Sequence, residues 1–157
     1  MKIAICYCSR HHGNTRKVVQ AMAEACGADV FDLCETPDVR LDGYDLIGLA
    51  SGIYAFAFDP SVVDFARRRL PEGKPVFFAC TYGGAKGTGA RAVARIARER
   101  HCPVLGSFGC RGYNTFGPFA WFGGSGKGLP DEADLQRARA FVGDVCAACA
   151  GKRSKGE

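Results

Sequence analysis

A chain of 157 residues, 47% hydrophobic and 24% charged, has the length and balance of one ordinary folded domain with a real core. Lys and Arg outnumber Asp and Glu by 21 to 16, but no nucleic-acid motif and no interleaving of basic with aromatic residues accompanies the net charge of +5, so nucleic acid is not an expected partner. No apolar run approaches the ~20 residues that span a bilayer, and "MKIAICYCS" lacks the apolar length and cleavage pattern of an export signal; the expectation is a cytoplasmic protein without membrane contact.

Along the chain two periodicities alternate. Lys2 to Cys8 is a short, nearly continuous apolar run, as a strand buried on both faces requires, and Asn14 to Cys26 follows with apolar residues Val18, Val19, Met22 and Cys26 on one helical stripe. Ala28 to Leu33 and Tyr44 to Ala50 read as the second and third strands. Pro60 to Leu70 is a helix through Val62, Val63, Ala66 and Leu70. Pro75 to Thr81 is the fourth strand, Gly89 to Arg100 a helix through Val93, Ile96 and Ala97, and Pro103 to Cys110 the fifth strand, expected to be buried on both faces like the first, third and fourth. The last helix starts at Pro130, with Asp131 and Glu132 at its positive end, and continues through Leu135, Ala138, Val142, Val145 and Cys149. The arginines at 67, 68, 69, 91, 95 and 98 fall on helices as solvated outer faces. Such alternation predicts an open doubly wound α/β sheet of five parallel strands with helices on both faces, one domain over 1–150 and a frayed basic tail over 151–157.

Ligands of such sheets sit outside the carboxyl ends of the strands. The loop after the first strand, "CSRHHGNT", leads straight into a helix, whose free N–H groups and positive dipole end make an anion site. Gly13 allows close backbone approach, Ser9 and Thr15 offer hydroxyls, His11 or His12 can donate to a phosphate, and Asn14 can brace the loop. A plain helix cap by Ser9, Asn14 or Thr15 is the bland alternative. Three named anion loops fail on spacing. Gly126 and Lys127 are followed by Gly128 rather than the Ser or Thr of a P-loop; the residue where a cysteine phosphatase loop from Cys8 would need Arg is Asn14; and Gly87, Gly89 and Ala92 begin too far beyond their strand for a dinucleotide fold.

The other strand-end loops are "SGIYAFAFDP", "TYGGAKGTG" and the long "GCRGYNTFGPFAWFGGSGKGLPDE". Together the four resemble the flavodoxin-like FMN-binding family over Lys2 to about Phe141. "SRHHGNT", covering Ser9, Arg10, His11, His12, Gly13, Asn14 and Thr15, is similar to that family's phosphate loop, with histidines where simpler members carry hydroxyls. "SGIY" (Ser51, Gly52, Ile53, Tyr54) resembles the loop flanking the isoalloxazine ring, while "TYGG" (Thr81, Tyr82, Gly83, Gly84) and "CRGY" (Cys110, Arg111, Gly112, Tyr113) resemble the loops along its pyrimidine end. The run from Cys110 to Ala138 also resembles the C-terminal signature of one flavodoxin subgroup.

The resemblance implies strand order 2-1-3-4-5, FMN as cofactor, and redox work as an electron carrier or a small FMN-dependent reductase. Gly52 is the implied residue whose backbone carbonyl moves near the flavin N5. Carrier flavodoxins are typically acidic, whereas this chain is positive, so the implied partners are an acidic redox protein or a small aromatic, quinone-like acceptor. A module of the same fold that holds no FMN is the alternative.

The nine cysteines are odd in number and mostly lie in apolar stretches, which predicts reduced, mostly buried thiols. Cys6 and Cys8 share one strand face, and Cys146 and Cys149 share the apolar stripe of the last helix rather than forming a metal or dithiol pair. Cys110 beside Arg111 is the thiol whose pKa a cation would lower. Tyr113, Phe116, Phe119, Trp121 and Phe122 crowd one segment ahead of glycines 123, 124, 126 and 128, which predicts either a cluster packed on the domain body or a cover over the flavin hinged on those glycines.

Overall fold

The computed structural model describes residues 1–84 and 88–153. Chain order is β1 (Ile3–Cys8), α1 (Asn14–Cys26), β2 (Asp29–Asp32), β3 (Leu46–Tyr54), β4 (Ala57–Phe58), α2 (Pro60–Arg69), β5 (Val76–Tyr82), α3 (Arg91–Glu99), β6 (Val104–Arg111), a short 3-10 turn (Gly117–Phe122) and α4 (Glu132–Arg153). Among the described residues the sheet has six strands rather than five. Its path is β2-β1-β3-β5-β6, all parallel, with β4 antiparallel to the outer end of β3. The five strands read from the sequence therefore stand in the expected relative order, and the sixth is an addition.

Alternation along each strand divides the core in two. Ala4, Cys6, Cys8, Ile47, Leu49, Phe78 and Cys80 face α2 and α3 through Val62, Phe65, Val93 and Ile96. Ile3, Ile5, Tyr7, Leu46, Phe77 and Ala79 face α1 and α4 through Val18, Val19, Met22, Ala138, Val142 and Val145. Cys6 and Cys8 do share a face, and Cys149 is buried in the α1 and α4 seam with Cys146 packed beside it. Gly48 is required in β3 because a Cβ there would come within 2.5 Å of the Phe77 ring.

Three local readings are corrected. β6 is an edge strand, buried only toward α4, with Val104 47% exposed; an edge position has no second layer to cover its other side. β3 continues through Tyr54 and folds back through Ala55 and Phe56 into β4, pairing Ile53 with Phe58 and Tyr54 with Ala57, where a loop was expected. Finally, α4 extends to Arg153, so 151–153 are helical rather than frayed, and the rest of the tail lies outside the described residues.

Candidate functional site

At the carboxyl ends of β1, β3 and β5 a cleft of about 640 Å³ opens, inside the ~300–1,000 Å³ range typical of small-molecule sites. β1 ends at Cys8, and the chain turns through His12 (φ 55) and Gly13 (φ 66), both left-handed, before α1 begins at Asn14. Among the described residues no side chain caps α1, which leaves the N–H groups of its first turn open to an incoming acceptor. Arg10 and His11 line the cleft above this turn.

Asn14 and Thr15 are buried, and their polar groups serve the fold first. The Asn14 amide Nδ2 donates to the Tyr113 carbonyl at 2.8 Å, which ties the first loop to the segment after β6. The two hydroxyls of Thr15 and Thr81 meet at 2.9 Å, joining α1 to the end of β5. The same loops meet again where the His12 ring lies against Tyr113 and its Nε2 is 3.0 Å from the Thr115 hydroxyl. One atom is left over: Asn14 Oδ1, buried on the cleft wall, has no hydrogen-bond partner among the described residues. Such an orphaned acceptor costs about 1–3 kcal/mol until a donor reaches it.

The opposite wall is built around Asp59, which caps α2 by accepting from the Ser61 N–H at 2.9 Å and hydroxyl at 2.7 Å. Its carboxylate also forms a two-nitrogen ion pair with Arg10 through Nε and Nη2. Burial alone would raise the Asp59 pKa, but the bonds from Arg10 and Ser61 outweigh it and hold the carboxyl at about 2. Ser51 is wholly buried; it accepts from the Asp59 N–H at 2.8 Å and donates to the Gly52 carbonyl at 2.6 Å. Tyr54 folds back over Gly52, where an added Cβ would sit 2.5 Å from the Tyr54 oxygen, and its hydroxyl accepts from the Arg10 N–H at 3.1 Å. Tyr82, Gly83, Gly84 and Tyr113 complete the cleft beside Phe56 and Phe116. Gly83 and Gly112 are tight against Asn114 and Asn14 respectively, each with less than 3 Å for a Cβ.

Of the residues named from the sequence, Arg10, His11, Asn14, Gly52, Ile53, Tyr54, Thr81, Tyr82, Gly83, Gly84 and Tyr113 line this one cleft. Ser9, His12, Gly13, Thr15, Ser51, Cys110, Arg111 and Gly112 stand beside or beneath it. Cys110 is 1% exposed on the α4 side, and burial, reinforced by Asp134, pushes its thiol up to about 12, the opposite of the expected cation effect. Ala55, Asp59 and Asn114 line the cleft without having been singled out, and the aromatic loop residues Phe56 and Phe116 line it too, the latter from the segment expected as a cluster or cover. The Asp-Pro pair at 59 and 60 is a helix-start signal that could have pointed to Asp59.

The segment after β6 closes on itself. Asn114 and Ser125 exchange backbone bonds, Tyr113 Oη donates to the Gly123 carbonyl at 2.8 Å, and glycines 123, 124, 126 and 128 all have positive φ. Phe116, Trp121 and Phe122 are 82%, 89% and 86% exposed, which overturns the reading of a cluster packed on the domain body.

A family model described as a flavodoxin domain matches residues 4–101. An uncharacterized protein of Methanocaldococcus jannaschii is 33% identical over 148 residues, covering 92% of this chain and 98% of that one. The chain belongs to the flavodoxin domain family. Among solved structures, a flavodoxin from the domain Archaea superimposes with a TM-score of 0.63 at 18% identity, covering 94% of this chain and 99% of that one. Rubredoxin:oxygen oxidoreductase of Desulfovibrio gigas superimposes with a TM-score of 0.72 at 14% identity over 96% of this chain, which spans 36% of that larger protein. At these identities the likeness is one of fold.

Proposed function

We propose that this chain is an FMN-binding redox protein and that the cleft holds the flavin. The reading is carried by one conjunction: an uncapped helix N-terminus opens into an aromatic cleft whose wall holds a buried acceptor, Asn14 Oδ1, in want of a donor. FMN fits this chemistry. The loop from Ser9 to Thr15 would take the phosphate on the backbone N–H groups at the start of α1, a ligand hydroxyl would satisfy Asn14, and Tyr54, Phe56, Tyr82 and Tyr113 would border the ring. Bound FMN supplies one- or two-electron transfer. Around it the chain's own residues have distinct tasks. Asp59 neutralises Arg10 and fixes its direction, Ser51 offers its hydroxyl to the Gly52 carbonyl, the group expected to move near the flavin, and the Asn14 and His12 contacts keep the first and last loops together.

Two kinds of electron acceptor remain as proposals. Exposed cations Lys17, Arg111 and Lys127 at this end of the sheet suit an acidic partner protein; the exposed rings of Phe56 and Phe116 on the rim suit a small, flat aromatic acceptor. The C-terminal run from Cys110 onward supports, as part of this proposal, membership of the flavodoxin subgroup carrying that signature. The phosphate assignment is tested by titrating apoprotein with FMN and with riboflavin and following flavin fluorescence. Charge-assisted bonds to the phosphate of about 1.5–3 kcal/mol predict FMN binding tenfold or more tighter. Equal affinities would remove the phosphate from this loop.

A further inference from the structure

Two thiols meet beside the cleft, on the sheet face that carries α2. Cys8, the last residue of β1, is fully buried, while Cys34, two residues past the end of β2, is exposed. Their Sγ atoms are 2.6 Å apart. The parallel register places Tyr7 opposite Asp32, the Leu33 N–H donates to the Tyr7 carbonyl at 2.8 Å, and the Cys34 N–H donates to Asp32 Oδ1 at 3.0 Å. Backbone pairing thus holds the two sulfurs together without any contribution from them. Neither residue lines the cleft, but Cys8 lies close to Asp59 on its wall and bonds to Ser61, the residue that Asp59 caps.

We propose that Cys8 and Cys34 form a reversible dithiol–disulfide couple that exchanges with small, soluble disulfides. A buried thiol alone is inert and an exposed thiol alone gives only a mixed disulfide; an exposed thiol in contact with a buried one can do both halves of an exchange. In the forward direction Cys34, as thiolate, attacks one sulfur of the small disulfide and expels one small thiolate, which takes up a proton. Cys8 then loses its proton and attacks Cys34 Sγ, forming the Cys8–Cys34 bond and expelling the second small thiolate. The chain has lost two electrons and two protons, and the small disulfide has gained both. Burial pushes the Cys8 thiol up to about 12, which leaves the first attack to the accessible Cys34; Cys8 enters only the second step, where its contact with Cys34 Sγ offsets its low thiolate fraction. The nearest rival is Cys26 with Cys146, which interact across the α1 and α4 seam, but both are half-buried and neither presents an exposed entry thiol.

The test uses the full chain, reduced, freed of reductant and treated with glutathione disulfide, then denatured for thiol counting. The expected count falls from nine thiols to seven, the protein becomes two hydrogens lighter, and fragment ions join Cys8 to Cys34; dithiothreitol restores all nine. Cys34→Ser, a change at an exposed position, is expected to keep its eight thiols under the same treatment, whereas Cys26→Ser still loses two. The proposal is overturned if wild type keeps nine thiols, if it stops at a glutathione adduct on Cys34, or if the bond maps to Cys26 and Cys146.

Discussion

Asp59 gathers four donors on one buried carboxylate, and its pKa of about 2 against an ordinary 3.8 makes it a stability term that depends on pH. Because the folded pKa is depressed, the contribution of about 2 kcal/mol is complete above pH ~4 and fades as pH falls toward 2. Asp59→Asn keeps a good helix cap but loses the charge, so urea unfolding is expected to show a deficit of about 2 kcal/mol at pH 6 that closes by pH 2; a gap unchanged with pH would contradict it. Asn14→Ala removes the bond to Tyr113 and the open Oδ1 together. Tenfold or greater loss of affinity is expected for both FMN and riboflavin, since the brace serves the whole cleft, and loss for FMN alone would show Asn14 to be a phosphate ligand only. At this scale the sequence was legible in part. Residue type and loop position marked Asn14 and Thr15, and the family resemblance marked Ser51 and Thr81, but a hydroxyl or amide has the same signature whether it faces a ligand or a neighbouring loop. Thr15 met Thr81, and Ser51 met Asp59, through contacts 66 and 8 residues apart that no local pattern encodes.

Elements were more legible than contacts, because their signal is periodic. α1 spans Asn14–Cys26 as its apolar stripe and the flanking Gly13 and Gly27 dictate. The β3–β4 hairpin was hidden because its turn lacks the usual Asn or Gly. Ala55 and Phe56 hold φ of 47 and 67, a left-handed conformation that costs L-residues about 1–2 kcal/mol each. Ala55→Gly is therefore expected to raise stability by up to ~1 kcal/mol, read as a higher denaturant midpoint, and a lower midpoint would argue against this turn. The segment carrying Trp121 gives the opposite expectation. With its ring 89% exposed, Trp121→Ala should change stability by less than about 0.5 kcal/mol, far from the ~3–5 kcal/mol of a core aromatic, and a loss of that larger size would place the ring in the core.

For the whole molecule, alternation of strand and helix was enough to foretell a doubly wound sheet, and its order was implied by family resemblance. What escaped was coverage: β6 shows the same apolar composition as an inner strand, and only its place at the end of the path exposes Val104. Net charge acts at this scale as well. If electrons pass to an acidic protein, the rate of association should fall steeply as salt rises toward physiological strength, where the screening length is ~8 Å; a rate indifferent to salt would favour the small aromatic acceptor. The central claim, a flavin-binding redox protein, is tested most directly by adding FMN to the purified chain and reducing the complex stepwise without oxygen while recording its absorbance. One FMN per chain is expected, retained through gel filtration, with a spectrum that bleaches on reduction and returns on reoxidation. A chain that leaves micromolar FMN free in solution, its spectrum and fluorescence unchanged, would contradict it.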